Sequence, residues 1–474
     1  MGSPASEVSG GQGRARCRPA PRRRRAGARA RTIEAALREA VSSGRLPAGT
    51  RLPGTRSLAD DLGIARGTVV EAYAQLVAEG WLVSATGSGT RVADTSRLPV
   101  RSARTLVRPV FDLRPGRPDL SLFPRALWAA SVKRTLAAAS REALDYGDPA
   151  GLKVLRDAVA TYLSRARGVR AEPGAVVVTS GFTHGLALLS RALRALGVRT
   201  VATEDPGLVH HRTVIRAAGL STVPLSVGPH GADPAGVPDG AGAVLLTPAH
   251  QHPRGVVLSP ARRAAFLDWA REHHGIVIED DYDGEFRYDE QPVGALQAAA
   301  PEHVVFAGST SKALAPGLRI GWLVVPERLR VPVLDAVAAT GTTVGTPAQL
   351  AIADLLDRGD YDRHVRRARQ AYRRRRTELA DRLATLTDVP LDGVPAGLHA
   401  LLPLASRQEE KRVIDAGLAA GLQLQGINAA GYWQSADRPE AGLIIGYATP
   451  PQHAWRPALD ALAELLRDAA IKSW

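Results

Sequence analysis

Between residues 175 and 325 the chain repeats one pattern, a short apolar run followed by a longer amphipathic stretch. Ala175 to Thr179, Thr200 to Thr203, Ala243 to Thr247, Ile276 to Glu279, Val304 to Ala307 and Gly321 to Val325 are such runs. A strand with one wet face alternates apolar and polar residues, so continuous apolar runs mark strands covered on both faces. Strands of that kind, separated by helices, form a mostly parallel sheet between helical layers. Ligands of such sheets bind beyond the carboxyl ends of the strands. The pattern therefore predicts both an α/β fold and the place where its chemistry lies.

Suggestive residues stand at those ends. Ser180-Gly181-Phe182-Thr183 follows the first run, and Pro248-Ala249-His250-Gln251-His252-Pro253 the third. Asp280-Asp281-Tyr282 follows the fourth run, and Ser309-Thr310-Ser311-Lys312 the fifth. Lys312 is conspicuous in a chain that mostly uses arginine. A solvated surface lysine is the plain alternative, but a lysine amine also forms a Schiff base with an aldehyde cofactor. Pyridoxal 5'-phosphate (PLP) then needs a carboxylate beside its ring nitrogen. Asp280 is placed for that, rather than serving as a loop acid or helix cap, and Tyr282 suits the ring hydroxyl. Backbone N–H groups of Gly181, Phe182 and Thr183 at a helix start would hold the phosphate, with Ser309 and Arg319 completing the cradle. His210, His211, His250 and His252 lack the spacing of a known metal set, so no metal is assigned.

The first hundred residues have a different texture. Residues 1–28 are basic and aperiodic and read as a disordered tail. Ile33, Ala36, Leu37, Ala40 and Val41 then recur at helical spacing and stop at Ser43-Gly44. A short helix carries Leu58 and Leu62. A second begins near Arg66 and buries Val69, Tyr73 and Leu76. Trp81 to Val83 and Thr90 to Val92 flank a Gly87-Ser88-Gly89 turn as a hairpin. Three helices and a hairpin make a winged helix-turn-helix over 29–92, followed by a Pro/Arg/Ser linker over 93–109. Beyond about residue 335, Arg-rich helices precede weaker strand runs at Leu398 to Leu404 and Leu443 to Tyr447, a smaller α+β lobe. The Arg373 to Arg376 run reads as a solvated helix face.

The formal net charge of +14 suits a polyanionic partner. Cys17 is the single cysteine, which excludes an intrachain disulfide and paired-cysteine zinc sites and fits a reducing cytoplasm. No apolar stretch spans a bilayer, and the start lacks the apolar core of a secretory signal.

Two motif sets carry a family resemblance. Gly308-Ser309-Thr310-Ser311-Lys312-Ala313-Leu314-Ala315-Pro316-Gly317-Leu318-Arg319, with Glu279 to Phe286 upstream, resembles fold-type I PLP enzymes. Arg51-Leu52-Pro53-Gly54-Thr55-Arg56 and Gly63 to Tyr73 resemble the GntR helix-turn-helix. Together they resemble the MocR/GabR-like subfamily of GntR regulators. The resemblance implies a multidomain chain: a winged helix-turn-helix, then an α/β aminotransferase-like domain over 110–474. Its large lobe would cover about 110–335 and its small α+β lobe about 336–474. It implies that Lys312 bears the PLP Schiff base, Asp280 meets the pyridine nitrogen and Tyr282 the ring hydroxyl. Tyr146 would reach the phosphate in a neighbouring subunit, hence a homodimer. Arg56, Arg66 and Thr68, with a wing at Gly87, Gly89 and Thr90, would contact double-stranded operator DNA. Leu208 stands where the family has a ring-stacking aromatic, His210 where some members have a carboxylate-gripping arginine, and His252 where free aminotransferases have asparagine. Arg438 is a further candidate anchor for an effector carboxylate. The implied function is PLP-dependent transcription regulation in response to an amine, an amino acid or PLP. A working aminotransferase with an appended DNA-binding domain, and a cofactor-free dimerisation scaffold, are the alternatives.

Overall fold

The computed structural model describes residues 22–85, 89–93, 110–288, 293–435 and 440–469, in two compact units that part between Leu106 and Val107. In the first unit, α1 (Arg22–Ser42), α2 (Thr55–Asp61) and α3 (Arg66–Ala78) precede a hairpin of β1 (Leu82–Ala85) and β2 (Gly89–Val92). Val69, Tyr73 and Leu76 of α3 pack on Leu52, Ala59, Leu82 and Val92, with Ile33, Leu37 and Val41 of α1 against them. The winged helix-turn-helix is thus built on the apolar positions expected of it. Helix α1, however, already begins at Arg22, inside the stretch expected to be tail. Arginine and alanine are strong helix formers, so the run after Pro21 continues the helix backwards. The rest of the tail, and the linker from residue 94 on, lie outside the described residues.

The second unit opens with β3 (Phe111–Asp112), α4 (Arg125–Ala138), α5 (Lys153–Arg167), β4 (Val176–Thr179), α6 (Phe182–Ala195), β5 (Thr200–Asp205) and α7 (Val209–Ala217). Next come β6 (Ser221–Gly228), β7 (Gly231–Ala232), β8 (Ala243–Leu246), α8 (Pro260–Glu272), β9 (Ile276–Asp280), β10 (Val304–Ser309) and β11 (Gly321–Val324). The unit closes with α9 (Glu327–Thr340), α10 (Thr346–Asp357), α11 (Asp360–Ala384), β12 (Ala400–Leu404), α12 (Arg407–Ala419), β13 (Leu422–Gln423), β14 (Ala441–Ile445) and α13 (Trp455–Asp468).

Eight strands form one sheet in the order β4-β11-β10-β9-β8-β5-β6-β7. Strands β10, β9, β8, β5 and β6 run parallel. β11 is inserted antiparallel between β10 and β4, which leaves β4 running with β10. The carboxyl ends of β4, β5, β8, β9 and β10 therefore share one edge. Val176 and Val178 face a core with α5 and α10, whereas Val177 between them faces α6 and α9. Both faces being covered, these strands are apolar at every step. β6 escaped the sequence reading because its burial alternates and Pro224 interrupts it. Proline is tolerated near a sheet edge, and here β7 pairs only with Val227 and Gly228.

A second core joins the antiparallel pair β12–β14 and the parallel pair β3–β13 to α11 and α13. This is the smaller lobe, with two corrections to its bounds. Leu113, just after β3, is buried in it, although the chain there was assigned to the large lobe; a two-residue strand has no periodicity to read. Ile352, Ala353 and Leu355 of α10 pack under the main sheet, so that segment belongs with the large lobe. Among the described residues no helix is long and apolar enough to cross a membrane.

The Arg373 to Arg376 run is only partly a solvated face. Arg375 is buried, with Nη2 donating to Asp119 Oδ2 at 2.7 Å and Nη1 to the Pro450 carbonyl at 2.8 Å. Tyr372 Oη accepts from the Asp119 backbone N–H at 2.9 Å. This pair ties the start of the unit to α11 and to the chain before α13. Removing one partner of a buried pair strands the other charge. Asp119→Ala is therefore expected to lower the unfolding free energy of this unit by about 3–5 kcal/mol, seen as an earlier denaturant midpoint. Asp119→Ala/Arg375→Met should recover part of that loss.

Candidate cofactor site and DNA-binding surface

A cavity of about 340 Å³ opens where the five strand ends meet. Lys312 and Asp280 both line it. Lys312 Nζ donates to the Gly116 carbonyl at 2.6 Å. Burial lowers the Lys312 pKa, against the pull of Asp283 and Asp280, which raises its share of neutral, nucleophilic amine. Asp280 ends β9 and is 3% exposed. Burial pushes its carboxyl well above the usual range, more than nearby Lys312 pulls it down. Its Oδ1 is buried without a hydrogen-bond partner. An unmatched buried acceptor is costly, and a pyridinium N–H is the donor that would satisfy it.

The phosphate end lies at the start of α6. Gly181 caps that helix at φ +85, a left-handed conformation that favours glycine. A Cβ there would lie 3.5 Å from the Arg319 guanidinium. Phe182, Thr183, Ser309 and Arg319 line the cavity as expected, and so does Ser311, which sequence reasoning passed over. Exposed helix N–H groups beside a guanidinium form an anion site.

Tyr282 lines the same wall. Its hydroxyl lies 3.1 Å from His250 Nδ1, which contacts Asp283 Oδ2 at 2.8 Å. Burial, then Asp283 and Asp280, push the Tyr282 phenol well above its ordinary value. His250, Asp283 and His399 hold donor atoms within 4.8 Å of one another. This grouping differs from the four histidines considered from sequence, because His399 arrives from the small lobe.

His252 is buried, with Nε2 2.9 Å from the Tyr432 hydroxyl. Gln425 Nε2 donates to that hydroxyl at 2.7 Å, so Tyr432 Oη joins His252 and Gln425. His399 packs edge-on against His252, ring centres 4.4 Å apart. Burial pushes both histidines well below their ordinary values. Tyr432, Gln425 and His399 were not foreseen, since they come from loops and short strands without a motif.

Leu208 lines the cavity and packs against the apolar cluster around Tyr432 and Trp433. His210 does not line it. It is exposed, with Nε2 3.3 Å from Thr183 Oγ1. His211, rotated by about 100° along α7, faces the cavity instead and packs on Phe182 at 4.9 Å. Burial takes His211 down to about 3. Tyr146 also stands away from Lys312. It is 100% exposed and lines a separate hollow of about 290 Å³ with Asp145, Thr343 and Gln349. Arg438 lies outside the described residues.

On the first unit Arg56 and Arg66 are exposed, Arg66 Nε donating to Thr55 Oγ1 at 3.4 Å. Thr68 is corrected: it is 5% exposed, on the inward face of α3, so its hydroxyl is not offered to DNA. Gly89 takes φ +82, and a Cβ there would sit 3.3 Å from Arg51 Nε. Thr90 is half-buried in β2, while Gly87 lies outside the described residues. Arg51 and Arg91, both exposed and bridged through the backbone, add basic groups beside the wing that no motif had marked.

Fold and site together define a winged helix-turn-helix joined to a fold-type I aminotransferase-like domain. Residues 108–427 match the family "Aminotransferase class I and II" and residues 29–92 the "Bacterial regulatory proteins, gntR family". The chain is 31% identical to the HTH-type pyridoxine biosynthesis transcriptional regulator PdxR of Corynebacterium glutamicum, over 90% of this chain and 94% of that one. It is also 31% identical to the probable rhizopine catabolism regulatory protein MocR of Rhizobium meliloti, over 90% and 91%. TauR of Rhodobacter capsulatus is 33% identical over 71% and 76%. In fold it is similar to the α-aminoadipate aminotransferase LysN of Thermus thermophilus, with TM-score 0.68, 21% identity and 79% and 96% coverage. The chain belongs to the MocR/GabR-like GntR regulators, a family of DNA-binding transcription regulators whose aminotransferase domain takes PLP.

The phosphate end is testable. Gly181→Ala puts a Cβ on a strained backbone beside Arg319, so PLP affinity is expected to fall about tenfold. Fluorescence titration of the apoprotein with PLP reads that change.

Proposed function

We propose that PLP is held covalently on Lys312 and that its state, or that of an amine exchanged onto it, sets how the chain binds operator DNA. The supporting observation is the juxtaposition in one cavity of Lys312 and Asp280, whose buried oxygen lacks a donor. When bound, the cofactor supplies an aldehyde that links reversibly to amines and a ring that draws in electrons. In this reading Lys312 holds the aldehyde carbon, and Asp280 accepts from the ring nitrogen. Tyr282 and His252 flank the ring hydroxyl. Gly181, Phe182, Thr183, Ser309, Ser311 and Arg319 hold the phosphate. Leu208 covers one ring face by apolar contact. Tyr146, fully exposed in one chain, would complete the phosphate site of a partner copy, making the working form a homodimer in the cytoplasm.

The cavity wall comes from both lobes: Lys312 and Asp280 from one, His399, Gln425 and Tyr432 from the other. A ligand filling it favours one lobe arrangement, and only such differential affinity can shift the regulator between states. The pyridoxine-biosynthesis role in the name of the Corynebacterium relative supports PLP occupancy as a signal in its own right. Turnover as an aminotransferase is expected to be at most a slow half-reaction.

Lys312→Ala should lose the visible absorbance of the PLP-loaded protein; a variant that keeps the band refutes the attachment site. In the DNA-binding unit, affinity should fall steeply with salt as phosphate contacts are screened. Arg66→Ala is expected to cost about 1–3 kcal/mol of operator discrimination, measured as the ratio of specific to nonspecific affinity. An unchanged ratio would remove Arg66 from the recognition surface.

A further inference from the structure

The charge inventory of the cavity says more about what it admits. Among the described residues lining it, Lys312 and Arg319 are the only lysine or arginine side chains. Arg319 is committed to the α6 end, its guanidinium beside Gly181. Lys312 is the group that must be displaced for another amine to enter. Neither remains to hold a ligand's carboxylate.

The histidines do not fill that role. His252 Nε2 is already engaged with the Tyr432 hydroxyl at 2.9 Å. His399 is buried, its Nε2 without a partner, and packed against His252. His211 lies on the Phe182 ring. Burial pushes all three below the ordinary histidine range, hence neutral at physiological pH. The rest of the cavity wall is largely apolar. Leu208 and Leu398 line it, and behind Tyr432 lie Leu401, Ile427, Trp433 and Ile444. Among the described residues, a carboxylate placed against that wall would give up water and gain no cation.

Resting on the reading of PLP on Lys312, we propose that the ligand admitted is a primary amine with an apolar body and no carboxylate on its amine-bearing carbon. Lys312 yields the cofactor carbon to the ligand's nitrogen. One C=N bond breaks as the other forms, and the two protons of the entering amine end on the departing Lys312 Nζ. No oxidant or reductant is consumed. The ligand's body then lies along Leu208, Leu398 and Tyr432.

The test uses the full chain loaded with PLP. Borohydride reduction followed by peptide mass analysis first fixes the pyridoxyl group on Lys312; failure here defeats the attachment itself, separately from the ligand class. The loaded protein is then titrated with matched pairs, leucine against isopentylamine and phenylalanine against phenethylamine, each normalised to its reaction with free PLP. The amines are expected to shift the visible band at concentrations at least about tenfold lower than their amino acids. After reduction the pyridoxyl group should be found on the amine instead of on Lys312. His211→Arg, which puts a cation into the wall, should narrow or reverse the preference. A smaller or reversed preference in the unmodified protein overturns the proposal, and so does a band that neither member of a pair moves.

Discussion

A carboxylate buried at the end of a central strand, with one oxygen lacking a donor, is tolerable only if something supplies that donor. Asp280 is in that position, and much of the second unit serves to create it. The parallel run from β10 to β6 sets a common direction. The antiparallel β11 brings β4 into line with it. Five loops thus meet at one edge, and Asp280 and Lys312 come to line one cavity. Without that shared polarity, the same residues would be scattered over opposite ends of the sheet.

The acid and the amine act on each other as well as on a ligand. Lys312 pulls the Asp280 carboxyl down, while burial pushes it up harder. Asp280 and Asp283 pull the Lys312 amine up, while burial pushes it down harder. Each group is therefore held closer to its neutral form than in water. Such a pair is poised for a ring that brings its own positive charge to the acid and an aldehyde that needs a neutral amine. The same desolvation that makes the empty arrangement costly gives the cofactor its affinity.

What the sequence made legible follows from which residues carry periodicity. Two-sided burial made β4, β8, β9 and β10 readable as apolar runs, and with them the strand-end residues Gly181, Asp280, Tyr282, Ser309 and Lys312. β6, with Pro224 and a half-wet face, did not fit that pattern. β3, two residues long, had no pattern at all. Tyr432, Gln425 and His399 belong to the lobe whose strands pair over long sequence separations, so nothing local announces that they close the cavity. The helix-turn-helix was legible because α3 keeps Val69, Tyr73 and Leu76 at helical spacing. Thr68 was misplaced, since one residue along a helix is about 100° of rotation, and the motif could not say which side of the core that step falls on. His210 and His211 repeat the lesson on α7.

Under the proposed reading, His399 offers a route by which a signal at the cofactor would leave the site. It belongs to the small lobe yet packs on His252 and His250 of the large one, beside the Tyr432–His252 hydrogen bond that also crosses the division. Neutral rings in contact tolerate this packing; two imidazolium ions at that distance would repel. Burial pushes His252 and His399 below their ordinary values, and each lobe supplies part of that burial. Whatever fills the cavity against Tyr432 must therefore either preserve this contact or break it. Under the proposed reading, a ligand that favours one of these outcomes would bias the lobes through this seam.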